Sequence, residues 1–162
     1  MNNNEQLIHN FYSSFAKKDW QGMNAQYSDD IIFSDPVFGL LRDHEPKAMW
    51  EMLCKTAQDL TITYGNIIHL DEEYSTCDWV AAYTFSKTGR KVVNKIRANM
   101  KFADGKIIEH SDAFSLHKWA SQALGFSGWL LGWNRFFQNK IKNQAKRNLL
   151  KFMQARQGES PQ

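Results

Sequence analysis

Residues 91–116, KVVNKIRANMKFADGKIIEHSDAFSL, decide the fold, because two runs of alternating apolar residues flank an Asp104-Gly105 pair. Side chains of an extended chain point to opposite faces in turn. Val92, Asn94, Ile96, Ala98, Met100 and Phe102 therefore share one face, and Lys91, Val93, Lys95, Arg97, Asn99 and Lys101 share the other. The first face is expected to be buried. Asp-Gly between such runs is a strong hairpin signal. In the second run Ile108, His110, Asp112, Phe114 and Leu116 share the face with the larger apolar residues, against Ile107, Glu109, Ser111, Ala113 and Ser115.

Upstream, TITYGNIIHL (61–70) and DWVAAYTFS (78–86) read as two more strands, with turn signals at Asp71 to Glu73 and at Thr88-Gly89. Four strands in an antiparallel meander are expected. Further upstream the period becomes helical. Leu7, Ile8, Phe11, Tyr12 and Phe15 mark a helix over Glu5 to Lys18, and Asp19 can cap a short second helix carrying Trp20, Met23 and Tyr27 on one face. A third helix starts near Pro46 and runs through Met49, Met52, Leu53 and Ala57. Between them lies YSDDIIFSDPVFG (27–39), where Asp29 and Asp30 read as the point at which helix gives way to extended chain. From His117 the chain is helical again, broken at GFSG (125–128). Leu130, Trp133, Phe137, Ile141, Ala145, Leu149, Phe152 and Met153 then trace the apolar stripe of a long amphipathic helix.

These elements predict an α+β fold: a curved antiparallel sheet covered like a cone by N-terminal helices, with an added long C-terminal helix. The expected divisions are a cone domain over 1–117, a helical extension over 118–157 packed on the same domain, and a disordered tail over 158–162. A chain of 162 residues with 43% hydrophobic and 14% aromatic residues suits a single core. Cys54 and Cys77 have no metal or redox spacing and read as reduced, buried thiols. The start MNNNEQLIHN lacks a signal-peptide pattern, no apolar run spans a membrane, and a cytoplasmic location is expected. The net charge of +3 is too small to argue for nucleic acid. Its cations concentrate between Arg135 and Arg156, where no acid occurs. A solvated face on a dimer-packing helix accounts for that run, so a membrane partner is not expected.

Three polar residues stand on faces expected to be apolar. Asp35, before Pro36, shares a side with Ile31 and Phe33, and is either a turn organiser or a base. His110 and Asp112 are either a structural pair or an imidazole oriented by a carboxylate for acid–base work. Asn94 must find a hydrogen-bond partner or cost free energy. Tyr83, on a face with Trp79 and Phe85, could donate to a developing oxyanion. No HExxH, P-loop, GxSxG or GxGxxG pattern is present, and the histidines at 9, 44, 69, 110 and 117 lack ligand spacing; neither metal nor cofactor is expected.

The succession of helix, YSDDIIFSDPVFG, helix, four strands with FADGKI in the last hairpin, and EHSDAF resembles the SnoaL-like and ketosteroid-isomerase-like members of the nuclear transport factor 2 superfamily over roughly residues 5–117. The resemblance implies a cone around a deep pocket, often in a homodimer, and a small apolar ligand. Together with the faces read above, it makes Asp35, His110 and Asp112 the catalytic candidates, and Phe11, Tyr12, Phe33, Trp50, Tyr83, Asn94 and Phe114 the ligand-binding ones. Asp35 falls on the aspartate that acts as general base in ketosteroid isomerases. The oxyanion-binding tyrosine of those enzymes falls on Phe11, with Tyr12 adjacent, and their neutral aspartic acid falls on Ala98. The resemblance therefore implies related proton-transfer chemistry without that oxyanion hole: isomerase, cyclase or hydratase type, or binding without catalysis. Polyketide-cyclase members use an acid where Asp112 stands. TGRKVVNKI and FSLHKWASQALGFSGWLLGW resemble a bacterial SnoaL-like subgroup, whose extension is a candidate lid or subunit contact.

Overall fold

The computed structural model describes residues 3–159. Its elements are α1 (Asn3–Ala16), α2 (Trp20–Asn24), β1 (Tyr27–Asp35), β2 (Gly39–Leu41), α3 (Glu45–Thr56), β3 (Thr61–His69), β4 (Tyr74–Phe85), β5 (Arg90–Ala103), β6 (Lys106–Ala113), α4 (Leu116–Leu124), α5 (Phe126–Leu131) and α6 (Arg135–Gly158). The six strands form one sheet in the order β2-β1-β6-β5-β4-β3. The expected meander is β3 to β6. YSDDIIFSD adds β1, which pairs antiparallel with β2 and parallel with β6. Asp29 and Asp30 accordingly lie within a strand instead of at a helix end, and Tyr27 starts that strand instead of closing a face of α2. Asp19 caps α2 as expected, accepting from Gly22 N at 2.9 Å.

β5 and β4 form the long spine, in register from Tyr74↔Lys101 to Phe85↔Arg90. The alternation of β5 is as its sequence predicts, with Val92, Asn94, Ile96, Ala98, Met100 and Phe102 all buried. Asp104 and Gly105, with φ of 50° and 71°, make the tight turn into β6. There the register shifts, with Lys101 opposite Glu109 and Phe102 opposite Ile107, so that Ile108 is the extra residue of a bulge in β6. A bulge inserts one residue and reverses the faces that precede it. Ile107, not Ile108, is therefore the buried isoleucine, whereas His110 and Asp112 keep the inward orientation expected for them.

Leu7, Ile8, Phe11, Tyr12 and Phe15 of α1 and Met49, Trp50 and Cys54 of α3 fill the inner side of the sheet. Full burial of such side chains contributes roughly 1.5–3 kcal/mol apiece. A second apolar cluster, Val92, Leu116, Trp119, Ala120 and Ala123, closes the end of the cone where α4 meets β5. Val37, Tyr83, Phe114, Phe137 and Ile141 pack against it. Arg90 Nε donates to the Gln122 carbonyl at 2.8 Å, and Val93 N donates to Gln122 Oε1 at 2.7 Å, pinning the end of α4 to β5. Against α3, α6 is held by buried Leu149 and by Arg156, whose guanidinium pairs with buried Glu51.

The amphipathic stripe divides in two. Ile141, Ala145, Leu149, Phe152 and Met153 face the body, but Leu130 and Trp133 precede α6 and are exposed. Gly158 ends α6 and Glu159 follows as its cap; residues 160–162 of the expected tail lie outside the described residues.

Candidate functional site

β1 and β6 run side by side with Phe33 opposite His110, and β5 sets Met100 opposite His110 and Ala98 opposite Asp112. The acid that the resemblance sought at position 98 thus has a counterpart one strand away. His110 and Asp112 are 1% and 6% exposed. Around the imidazole stand Phe11, Phe33 and Trp50, with ring centroids 5.5, 5.2 and 6.0 Å away, Trp50 stacked at 22°. Tyr12 lies one layer off, stacked on Tyr64 and tilted against Trp79.

A hydrogen-bonded chain threads this apolar interior. Trp50 Nε1–H donates to the Tyr27 hydroxyl at 2.9 Å, which donates to His110 Nδ1 at 2.6 Å. With its proton on Nε2, His110 donates in turn to Asp112 Oδ1 at 2.9 Å, and the same oxygen accepts Trp79 Nε1–H at 3.1 Å. Every donor in this chain meets an acceptor, as buried polar groups require. Burial, helped by the charge of Asp112, raises the Tyr27 hydroxyl well above its ordinary value, so it stays a donor. Tyr27 is the member that sequence reasoning missed, and Trp79, expected as part of an aromatic face, was not read as a donor. Their signal was present: each is an aromatic with a polar tip on the inward face of a strand.

Asp35 ends β1, half-buried. Its Oδ1 accepts from Val37 N at 2.8 Å and Phe38 N at 2.6 Å, the local turn that an aspartate before Pro36 favours. Both amides fall on Oδ1, which leaves Oδ2 for proton exchange. Burial dominates and pushes its pKa up to about 7; the Phe38 amide opposes this, and Asp112 adds to it. Asp35 is thus within electrostatic reach of Asp112 and His110. The Tyr12 hydroxyl is buried without a hydrogen-bond partner, and burial together with Asp112 raises it well above its ordinary value.

The remaining candidates lie toward the closed end of the cone. Tyr83 accepts from Trp119 Nε1 at 2.7 Å and belongs with α4 instead of with His110. Phe114 bridges the two apolar clusters. Asn94 is buried opposite Ala81. Two shallow depressions, of about 190 and 420 Å³, lie on the outer side of the sheet, one against Ser34, Glu109 and Ser111 and the other against Asp30, Lys106 and Glu109. Cys54 and Cys77 are free and buried, and burial pushes both thiols up to about 11.

The sequence profile of the SnoaL-like domain matches residues 8–110, well over half of the chain. The chain belongs to the SnoaL-like domain family. Solved structures share the fold at low identity. A Catenulispora acidiphila protein with a ketosteroid isomerase-like fold, solved with trimethylamine, superposes with a TM-score of 0.64 at 10% identity, over 73% of this chain and 92% of the other. A Xanthomonas campestris protein provisionally called a polyketide cyclase gives 0.62 at 16% identity, over 74% and 96%. A nuclear transport factor 2-like protein from Burkholderia pseudomallei gives 0.60 at 19%, over 70% and 92%. No curated protein matches the sequence. The SnoaL-like match ends at His110, before Asp112 and the whole of α4 to α6.

Proposed function

We propose that this SnoaL-like protein is an acid–base enzyme of isomerase or cyclase type acting on a small apolar carbonyl compound. The observation that carries the reading is Asp35: a carboxyl with pKa about 7, one oxygen unclaimed, within electrostatic reach of the Asp112–His110 pair. A general base works best with a pKa near the operating pH and contributes roughly 10² to 10⁴ in rate. Asp35 Oδ2 takes the proton from the carbon next to the carbonyl. The C–H electron pair moves into an enolate, whose oxygen accepts a hydrogen bond from the Tyr12 hydroxyl. The protonated Asp35 then returns the proton at another carbon, or the enolate carbon attacks a second carbonyl in a cyclisation and Asp35 gives its proton to the alkoxide so formed. Asp112, anchored by His110 and Trp79, keeps Asp35 basic by its negative charge. The polyketide-cyclase description of the Xanthomonas relative supports the same reaction class.

The test is deuterium incorporation from D2O, followed by NMR, into a panel of β,γ-unsaturated ketones and 1,3-diketones. Wild type should exchange with a rate that rises through about pH 7, as Asp35 loses its proton. Asp35→Asn should lose roughly 10²-fold or more. Equal exchange in that variant would remove Asp35 from the mechanism. The full internal satisfaction of the Trp50–Tyr27–His110–Asp112 chain favours a second reading, a pocket that holds an apolar carbonyl compound unchanged. Tight binding with no exchange would select it.

A further inference from the structure

We infer that the α4–α5–α6 turn is a docking surface for the anionic face of a lipid bilayer. Six large apolar residues stand out of the protein within eleven positions: Phe126, Trp129, Leu130, Leu131, Trp133 and Phe136, from 42% exposed for Leu131 to 74% for Phe126 and Trp133. Single exposed apolar residues need no explanation, but a continuous patch marks a contact surface. The patch is built rigidly. A Cβ at Gly128 would stand on the Ala120 carbonyl, and one at Gly132 would lie 2.7 Å from the His117 ring, so these glycines seat α5 flush on α4. His117 Nε2–H donates to the Trp129 carbonyl at 2.9 Å, and the ring stacks on Trp133 with centroids 4.1 Å apart. The other sides of Trp129, Leu130 and Trp133 are thereby turned outward.

Charge decides the occupant. Between Asp112 and Glu159 the chain has no acid, and besides Arg156, which is paired with Glu51, it carries Lys118, Arg135, Lys140, Lys142, Lys146, Arg147 and Lys151. Arg135 and Lys140 flank Phe136, with the Lys140 ammonium 5.7 Å from the ring centre. A second copy docked about a two-fold axis would set this cationic surface against itself. A bilayer carrying anionic headgroups offers the opposite charge, and its interface is where Trp rings rest with one edge apolar and one wet. No helix among the described residues is long and apolar enough to cross a membrane, so the contact is with the surface.

The experiment is co-sedimentation of the full chain with vesicles of phosphatidylglycerol and phosphatidylcholine in equal parts, against phosphatidylcholine alone, at low and high salt. Binding should require phosphatidylglycerol and weaken with salt, and tryptophan emission should be quenched by lipids brominated on their acyl chains. Arg135→Gln with Lys140→Gln should weaken partitioning roughly 25-fold, since each cation near such a surface is worth about fivefold. Trp129→Ser with Trp133→Ser should abolish the quenching, with circular dichroism confirming the fold. Absence of binding to phosphatidylglycerol vesicles overturns the proposal, as does binding that the charge variants leave unchanged. So does a wild-type dimer in sedimentation that becomes a monomer in the tryptophan variant, because a second copy then covers the patch. The brominated-lipid readout on the unaltered protein is independent of how any variant folds.

Discussion

Tyr12 and Asp35 are held in ways that folding alone does not favour, and each can be relieved by a substitution that keeps its shape. A buried hydroxyl without a partner costs about 1–3 kcal/mol, so Tyr12→Phe should raise stability by about 1 kcal/mol, some 2–4 °C in Tm for a chain of this size, in a thermal melt. If Tyr12 serves the enolate oxygen, the same change lowers deuterium exchange. For Asp35 the folded pKa of about 7 exceeds the ordinary aspartate value of 3.8. Between these values the native state holds a proton that the unfolded state has released, so stability falls as pH rises from about 4 to about 7. Asp35→Asn keeps the acceptor for Val37 and Phe38 and removes that loss. It should be more stable than wild type at pH 8, by as much as roughly 4 kcal/mol, and no more stable at pH 4, as read by denaturant titration at the two pH values. At this scale the sequence was informative. Period-two alternation identified Asn94, His110 and Asp112 as inward, and proximity to Ile31 and Phe33 singled out Asp35. It did not reveal Tyr27, because Trp20, Met23 and Tyr27 fit a helical period as well as Tyr27, Ile31 and Phe33 fit a strand. Pairing with β6, some eighty residues later, resolves that ambiguity.

Elements are fixed by contacts that no local propensity carries. The bulge at Ile108 of β6 puts Ile107 in its place on the buried face, and no residue type there marks an insertion. The seat of α6 is likewise a tertiary matter. Burial alone would raise the Glu51 carboxyl, but hydrogen bonds from Lys55 and Arg156 more than offset it and hold it below its ordinary value. A depressed carboxyl stabilises the fold above its unfolded pKa and ceases to do so as pH falls through the folded one. Arg156→Ala should therefore cost about 1–2 kcal/mol at neutral pH, discounted for the solvent around Arg156, with the deficit vanishing under acid conditions. Hydrogen exchange should show the loss first in the last turns of α6.

For the whole molecule, the α+β cone, the hairpin at Asp104-Gly105 and the helical extension were legible, because long periodic segments with clear turns leave few ways to pack. The exposed belt from Phe126 to Phe136 was not. Apolar residues at helical spacing read as a buried stripe, and whether anything covers a stripe depends on the neighbours it meets. Gly128→Ala probes the join at this scale. The added methyl cannot share space with the Ala120 carbonyl, so α5 should lift from α4 and amide exchange in both should rise by an order of magnitude or more, while β4 and β5 stay protected. The flush seat of α5 also ties two tryptophans to one join: Trp129 stands outside, and Trp119 donates from its indole to the Tyr83 hydroxyl within. Any side chain larger than hydrogen at Gly128 would therefore disturb at once the belt presented outside and the packing beneath it.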